Sequence, residues 1–308
     1  MSRLRLSLVA GVAVGALCAA CGRAPSSRAF ASSDGPTASA DGFPLRVRDD
    51  RGKTVLVPKE PKRIVALLPS YTELLFALGV GDRVVGIDDF SEYPPEANLL
   101  PRLGGLYDTH LEAVLSLRPD LVLISDPNGA AAALEQNGIA VWAGDAPKFE
   151  DVFRVMKLVG ALVGKPTEAR RLSERIRAEI AALEGRLRGS PRVRVYYEID
   201  PTPYAAGPTS FLGEMLAKAG GDNVVPGGLG DFPKISPEAV IAGDPEVIVG
   251  ASLAEVAARP GWGAIAAVRN GRVYKLSPAE SHVVVCPGPR IAAGLEVVAR
   301  HLHPGVHL

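Results

Sequence analysis

The residues best placed to do chemistry are aromatic and polar side chains on loops that follow predicted strands. In α/β proteins such loops meet at the carboxyl edge of a parallel sheet. Large rings with few rotatable bonds suit the binding of a broad, rigid organic molecule. The alternative for each ring is local packing beneath its loop, but five of the seven tyrosines take these positions. The candidate ligand contacts are Tyr71, Tyr93, Tyr107, Ser125, Tyr197, Tyr204, Phe232 and His282.

Motifs for covalent chemistry are not found in the sequence. It has no G-x-S-x-G turn, no H-E-x-x-H and no phosphate-binding G-x-x-x-x-G-K. Gly79 and Gly81 follow a predicted helix, whereas a dinucleotide fingerprint follows a strand. Three of the five histidines crowd the last eight residues, where a solvated tail explains them better than a metal site. The sequence therefore predicts no catalytic residue, no bound metal and no cofactor. We accordingly expect that the protein is not an enzyme.

An internal duplication indicates how these loops are positioned. Residues 73–85 match 214–225 with one residue deleted, and residues 112–123 match 238–249 without a gap. The blocks occur in the same order in both halves, and Asn-Gly pairs at 137 and 270 each precede a short apolar segment. A duplicated α/β unit predicts two lobes with a cleft between them, which is a preferred place to bind a small molecule.

A long helix is predicted between the two halves, from about residue 167 to residue 188. Its apolar residues are Ala169, Leu172, Ile176, Ile180, Leu183 and Leu187. Their steps of three and four place them on one face, opposite a charged face. At about 1.5 Å per residue the helix is roughly 33 Å long, enough to connect two small domains. The alternative is a surface helix of the first lobe.

Two shorter patterns predict local structure in the first lobe. Alternating apolar residues over 44–58 predict a β-hairpin around the turn at 49–52. Ser70 and Glu73 have the spacing of a capping box, which predicts that Ser70 caps the helix that follows.

The first twenty residues predict an export signal. Arg3 and Arg5 precede the apolar run 6–17, which is too short for a stable membrane anchor. Small residues before Cys21 resemble a bacterial lipoprotein signal, in which that cysteine carries the lipid; the alternative is an ordinary signal cut near Ala20. The predicted segments are the signal peptide 1–20, a flexible tether 21–42, an N-terminal lobe 43–148, a helical segment 149–190 and a C-terminal lobe 191–308.

The net charge and the cysteine content exclude nucleic-acid binding and an intrachain disulfide. Residues 1–20 contain two arginines and no acid, so their removal leaves 32 Lys+Arg against 34 Asp+Glu, or about −2. Such a body has no basic excess with which to bind nucleic acid. With Cys18 removed and Cys21 lipidated, Cys286 has no partner, so no intrachain disulfide is expected. A monomer is expected.

Several motifs together resemble a known family. They are Pro58-x-x-Pro61-x-Arg-Ile-Val65, Pro69-Ser-Tyr-Thr-Glu73, Tyr93-Pro-Pro95, Gly104-Gly105, and the segment 111–122 with its Pro-Asp-Leu-Val. Over nearly all of 44–304 the chain is similar to the helical-backbone class of ABC-importer substrate-binding proteins, which serve cobalamin, haem and iron-siderophore uptake. Ser91-Glu-Tyr-Pro-Pro95, Asp231-Phe-Pro233 and Pro287-Gly-Pro-Arg-Ile291 most resemble the cobalamin-binding branch.

The resemblance implies an α/β fold of two lobes, each with a central, mainly parallel sheet, joined by one long helix and moving little on binding. It implies two exposed glutamates that dock on permease arginines: Glu73 by motif and Glu214 through the duplication. A capping box is the alternative role for Glu73.

The resemblance also assigns ligand positions. Ring positions fall on Tyr93, Tyr197, Tyr204 and Phe232. Leu106 and Ser125 fall on positions where tryptophan can occur in the family. Tyr107 is therefore expected to supply an aromatic ring in place of the missing tryptophan. His282 falls on a ligand-facing polar position, where its imidazole either approaches a cobalt or iron centre or hydrogen-bonds an amide of the ligand.

The resulting hypothesis is a lipid-anchored extracytoplasmic protein that captures a corrinoid and delivers it to an ABC permease, with cobalamin as cargo. Haem or a ferric siderophore is the alternative within the class. The predicted loops contain few arginines to pair with the anionic groups of a siderophore, which counts against that ligand. Haem remains an alternative, because Tyr71, Tyr93 or His282 could be the axial ligand of its iron. A more distant alternative is a lipid-anchored hydrolase or oxidoreductase that uses Asp108, Asp126, Glu280 and His282. Another is a protein whose function is to bind a partner protein.

Overall fold

The structure is a computed structural model, and it describes residues 37–38, 42–201 and 203–308. These residues belong to one compact unit that spans 35–308. The predicted signal peptide 1–20 and the predicted lipidation site Cys21 lie outside the described residues. Among the helices that the structure describes, none combines the length and the apolar character needed to cross a membrane.

A small antiparallel sheet opens the folded body. Strands β2 (Leu45–Arg48) and β3 (Thr54–Val57) form the predicted hairpin, and the Asp49 carboxylate accepts the Lys53 backbone N–H across its turn at 2.9 Å. Strand β1 (Thr37–Ala38) pairs antiparallel with β2. The prediction of a flexible tether over 21–42 is therefore wrong for these two residues, because strand pairing fixes their backbone.

The first parallel sheet has the strand order β5-β4-β6-β7. Its strands are β4 (Ile64–Ala66), β5 (Val84–Ile87), β6 (Leu121–Ile124) and β7 (Ala140–Ala143). Helices α1 (Pro69–Ala77), α2 (Leu111–Ser116) and α3 (Ala130–Gln136) connect them, with 3-10 turns at Gly81–Arg83 and Pro95–Leu99. Strands β4 and β6 are buried along their whole length, as expected of the continuous apolar runs from which they form.

Two helices lead from the first sheet to the second. Helix α4 (Asp151–Leu162) packs against α5 (Pro166–Arg186), and α5 also packs against the last helix of the chain. The predicted apolar stripe of α5 is buried from Ala169 through Leu183. The sequence therefore predicted both the length of this helix and its buried face.

The second sheet has the order β10-β8-β11-β12, and these four strands are parallel. They are β8 (Val193–Asp200), β10 (Gly221–Asn223), β11 (Val247–Val249) and β12 (Val273–Tyr274), while β9 (Tyr204–Ala205) pairs antiparallel with β8. The helices are α6 (Phe211–Lys218), α7 (Pro237–Gly243), α8 (Leu253–Ala257), α9 (Ala266–Arg269), α10 (Pro278–Val285) and α11 (Ile291–Leu302), with a 3-10 turn at Trp262–Ala264.

The two sheets repeat one topology. Strand β4 corresponds to β8, β5 to β10, β6 to β11 and β7 to β12, and each set takes the same order. The duplicated sequence blocks provide α1 with β5 and α6 with β10, then α2 with β6 and α7 with β11. The predicted fold class is thus confirmed: two α/β lobes with central, mainly parallel sheets joined by one long helix. The residue boundaries predicted for the segments stay predictions.

Candidate functional site

A cavity of about 570 Å³ opens between the first sheet and helix α10. This volume lies in the usual range for small-molecule sites. The residues that line it are Leu68, Pro69, Ser70, Phe90, Glu92, Leu106, Ser125, Asp145, Pro278, Ser281, His282, Val285, Cys286 and Pro287.

Strand topology explains why the first sheet supplies half of this wall. Leu68, Phe90, Ser125 and Asp145 follow β4, β5, β6 and β7 within three residues. Because the four strands are parallel, their carboxyl ends meet at one edge, where ligands bind in open α/β sheets. Loops that follow the strands of the first sheet thus line the cavity, and the opposite wall comes from α10. Their contact with a ligand stays a prediction.

Buried hydrogen bonds hold the loop that carries Phe90. The Asp88 side chain accepts the Phe90 N–H at 2.7 Å and the Ser91 hydroxyl, and Ser91 in turn lies 2.8 Å from the Thr72 hydroxyl. Burial raises the pKa of Asp88, although these hydrogen bonds oppose the shift. The network leaves the Phe90 ring 65% exposed at the cavity wall.

A tight turn places Leu106. Gly104 has φ +89°, and a Cβ there would lie 2.4 Å from the Asp108 carbonyl oxygen, so only glycine fits. The Asp108 carboxylate accepts the Gly105 N–H at 2.8 Å and closes the turn. Leu106 follows into the wall, and Tyr107 beside it is 75% exposed.

Two of the predicted ring contacts are core residues. Tyr71 lies on α1 and is 1% exposed; its hydroxyl donates to the Gly144 carbonyl and its ring packs edge-on against Trp142. Tyr197 lies inside β8, where burial raises its pKa to about 12. The prediction that these rings face a ligand is wrong, because a helix and a strand continue through the positions assigned to loops. Tyr71 instead supports the Gly144–Asp145 end of the wall.

A charged cluster lies against the α10 side of the cavity. Arg290, which precedes α11, donates from Nε to Glu73 Oε2 at 2.9 Å and from Nη2 to Glu73 Oε1 at 2.6 Å. The same Nη2 lies 2.7 Å from His282 Nδ1, and the guanidinium stacks 3.9 Å from the Tyr93 ring centroid. His282 Nε2 is buried and has no hydrogen-bond partner among the described residues.

The environment of Glu73 differs from both sequence interpretations. Helix α1 starts at Pro69 with Leu68 at its N-cap, so Ser70 forms no capping box with Glu73. The expected exposure of Glu73 is also wrong, since the residue is 2% exposed and paired with Arg290. Glu214 is half-buried, and its carboxylate accepts the Phe149 N–H at 2.7 Å; its docking role stays a prediction.

The remaining candidates fall into two groups. Leu106, Ser125 and His282 line the cavity, and Tyr93 adjoins it through Arg290. Tyr107, Tyr204 and Phe232 are exposed, but in the described part of the chain they are not wall residues. Their contact with a ligand stays a prediction.

Sequence reasoning missed three parts of the site: Phe90, Arg290 and the helical state of the His282 segment. His282 was expected on a loop but lies on α10. That helix begins with a capping box of Ser277 and Glu280 and has Pro278 at its first position, a signal readable in the sequence.

The wall combines apolar surface with carboxylates. Among the described residues that line it, Glu92 and Asp145 are acidic and none is lysine or arginine. Cys286 is a free, buried cysteine, and burial raises its thiol pKa well above the usual value, which disfavours a reactive thiolate. No grouping of three or more potential metal ligands occurs in the described residues. This arrangement suits the binding of a ligand without a formal negative charge.

Comparison with known proteins shows the family of the chain. Residues 64–280 match the sequence family described as "Periplasmic binding protein". The chain is 32% identical to "Uncharacterized ABC transporter substrate-binding lipoprotein YvrC" of Bacillus subtilis, over 85% of this chain and 86% of the relative. It is 29% identical to "Cobalamin-binding protein" of Halobacterium salinarum, over 85% of this chain and 74% of the relative.

Among solved structures, the fold is similar to the periplasmic heme-binding protein RhuT from Roseiflexus sp. RS-1 in its apo form. The TM-score is 0.71 at 28% identity, over 79% of this chain and 98% of that one.

Proposed function

This chain belongs to the periplasmic binding protein family, and from that premise we propose that it captures a corrinoid outside the cytoplasm for an ABC importer. The observation that carries the proposal is the apolar cavity whose described wall contains carboxylates and no cationic side chain. The relative named as a cobalamin-binding protein supports the same ligand class.

Electrostatics favours a corrinoid over the other ligands of the class. Haem carries two propionates and many siderophores carry carboxylates or catecholates, which proteins usually meet with arginine. Glu92 and Asp145 would repel such groups, and the Arg290 guanidinium is already paired with Glu73. The amides around a corrin ring are neutral and need only hydrogen bonds.

The protein's place in the cell follows from the same proposal. Cys21 carries a lipid that holds the protein at the membrane, and a permease of the ABC class receives the ligand. YvrC, which is named as a lipoprotein, supports the anchor. Glu214 is the candidate for permease docking; Glu73 would have to leave Arg290 before it could dock.

Calorimetric titration of the purified protein with cyanocobalamin and with ferric haem tests the ligand. We expect binding of cyanocobalamin and much weaker binding of haem. Tight haem binding without corrinoid binding would contradict the corrinoid proposal and leave the family membership intact.

Haem is the second candidate because of the similarity to the heme-binding protein RhuT and because His282 lines the cavity, with the Tyr93 ring stacked on the Arg290 guanidinium that contacts His282. An absorption spectrum of the protein as purified distinguishes the two, since haem and corrinoid differ in their visible bands.

A further inference from the structure

We infer that Glu92 and Asp145 make the cavity selective for corrinoids with a net positive charge and without a phosphate group. The preferred cargo is then a corrinoid of the cobinamide type, which lacks the phosphate-containing nucleotide loop of cobalamin. The inference deepens the proposed function and rests on it, because it concerns the choice among corrinoids at the same cavity.

The two carboxylates of the wall have no direct cationic partner. Glu92 and Asp145 both line the cavity, and both residues are exposed. Within the described part of the chain, neither carboxylate takes part in an ion pair, and the Asp145 side chain accepts only the N–H of Ala146, at 2.8 Å. A charged group of the cargo therefore meets two carboxylates that are available for interaction.

At the Asp145 end of the wall, the guanidinium of Arg154 is committed to other groups. Its Nη1 pairs with Asp50 at 2.7 Å and its Nε with Asp151 at 2.9 Å. Its Nη2 donates to the backbone carbonyl of Asp145 at 2.7 Å, not to the carboxylate. Three carboxylates thus share one guanidinium, which leaves an excess of negative charge at this end of the cavity.

The ionisation of Asp145 reflects this excess. Desolvation first, and then the charges of Asp50 and Asp151, raise the pKa of Asp145. A backbone N–H and Arg154 oppose the shift without cancelling it. Tyr71 lies near Asp145 as well, but burial raises its own pKa well above the usual value, so its hydroxyl is neutral. A positive charge in the cargo would relieve the repulsion among the carboxylates.

At the Glu92 end, Arg102 holds the backbone of the loop. Its Nη1 donates to the carbonyls of Asp88 and Ser91, at 3.0 and 2.7 Å. Its Nη2 donates to the side chain of Asn98 at 2.8 Å. These bonds fix the loop and direct the guanidinium donors away from the Glu92 carboxylate.

The charges of the two kinds of corrinoid differ where this wall discriminates. Proteins usually meet a phosphate with arginine or lysine, and the described wall contains neither. The nucleotide loop of cyanocobalamin carries a phosphodiester anion that balances the charge of its cobalt centre. Aquocyanocobinamide has the same corrin ring and no phosphate, so it carries one net positive charge. The wall carboxylates attract that charge and repel the phosphate of cobalamin.

Calorimetric titration with aquocyanocobinamide and with cyanocobalamin at neutral pH and low salt tests the selectivity. We expect the unaltered protein to bind aquocyanocobinamide about tenfold more tightly. In the Glu92→Gln/Asp145→Asn double variant this preference should fall to about twofold or less. Both substitutions conserve side-chain size, and an asparagine oxygen can still accept the Ala146 N–H.

Glu96→Gln is the control, because Glu96 is an exposed acid near Glu92 that does not line the cavity. This variant should keep the full preference. Added salt should reduce the preference of the unaltered protein, because exposed charges are screened. Equal binding of the two corrinoids by the unaltered protein would overturn the inference and leave the proposed function intact. A preference that survives in the double variant would also overturn it, since cavity shape would then select the cargo. Binding of neither corrinoid would contradict the proposed function itself.

Nuclear magnetic resonance of the ¹³C-labelled carboxyl groups gives a second readout. A nearby cation favours the charged form of a carboxyl group, so bound aquocyanocobinamide should lower the pKa of Asp145. Cyanocobalamin should leave that pKa nearly unchanged. The signal is identified by its loss in Asp145→Asn. An unaltered pKa of Asp145 in the aquocyanocobinamide complex would overturn its role in charge selection.

Discussion

At the residue scale, the position of Tyr71 shows how one proline changes the environment of its neighbours. Pro69 takes the first position of α1, so the helix starts before Ser70 and Tyr71 turns inward against Trp142. The sequence interpretation made Ser70 the cap of this helix and placed Tyr71 on the loop that follows the first strand. Proline at the first helical position was the local signal for the earlier start.

Replacing Tyr71 by phenylalanine tests its structural role. The Tyr71→Phe variant keeps the ring contact with Trp142 but leaves the Gly144 carbonyl without its donor. We expect a loss of about 1 kcal/mol in the free energy of unfolding, measured in urea, and unchanged affinity for cyanocobalamin. Weaker corrinoid binding with unaltered stability would instead make Tyr71 a ligand contact.

The charged cluster could not be predicted from local sequence. Glu73 and Arg290 are 217 positions apart, and only the packing of α1 against the start of α11 brings them together. The capping-box spacing at Ser70 and Glu73 gave a sufficient local explanation for Glu73. Arg290 was noted within its motif, but nothing in that motif identifies its partner.

At the element scale, α5 was predictable because its apolar stripe alone indicates a buried face. Its length and buried residues agree with the sequence expectation over almost the whole helix. Helix α10 was missed because its apolar residues show no such stripe and only Val284 is buried. Its capping box and proline were the readable signals, and periodicity alone does not detect a helix that lies across a cavity.

A substitution in α5 tests how strongly this helix supports the fold. Ile176 is 1% exposed within the stripe, so Ile176→Ala should lower the free energy of unfolding by about 2–5 kcal/mol. Arg175→Ala is the matched control, because Arg175 is exposed and its ion pair with Glu179 lies at the surface. The control should stay within about 0.5 kcal/mol. Equal effects of the two substitutions would show that the stripe does not support the fold.

At the scale of the whole molecule, several contacts connect distant parts of the chain. Lys148 Nζ pairs with Asp231 at 2.9 Å, Glu214 accepts the Phe149 N–H, and Arg290 binds Glu73. The rings of Phe149 and Phe211 stack beside these polar contacts with centroids 6.0 Å apart. Together with the continuous helix α5, they oppose a large opening between the two sheets.

Small-angle X-ray scattering of the free and the cyanocobalamin-bound protein tests this rigidity. We expect the two profiles to superimpose, and Glu214→Ala to introduce a difference between them because it removes one of the connections. Glu238→Ala, at an exposed position of α7, is the control. A marked compaction of the unaltered protein on binding would contradict a rigid body.

The repeated sheet order was the part of the whole molecule that the sequence predicted best. Matching blocks became matching helix-strand pairs, because the same local patterns of apolar residues and caps form the same units twice. The prediction that tyrosines on the loops line the ligand cleft was less successful. Similar topology places loops at similar edges, but the side chains that reach a ligand depend on contacts between the halves.

Helix α10 has a consequence for how such proteins acquire new cargoes. The segment is bounded by Pro278 and Pro287, and its own capping box forms its first turn. It faces the cavity with His282 and Val285, while Val284 on the same helix belongs to the hydrophobic core. Substitutions at the cavity-facing positions of one short helix can therefore retune selectivity, by evolution or by design, while Val284 and the capping box keep that helix in place.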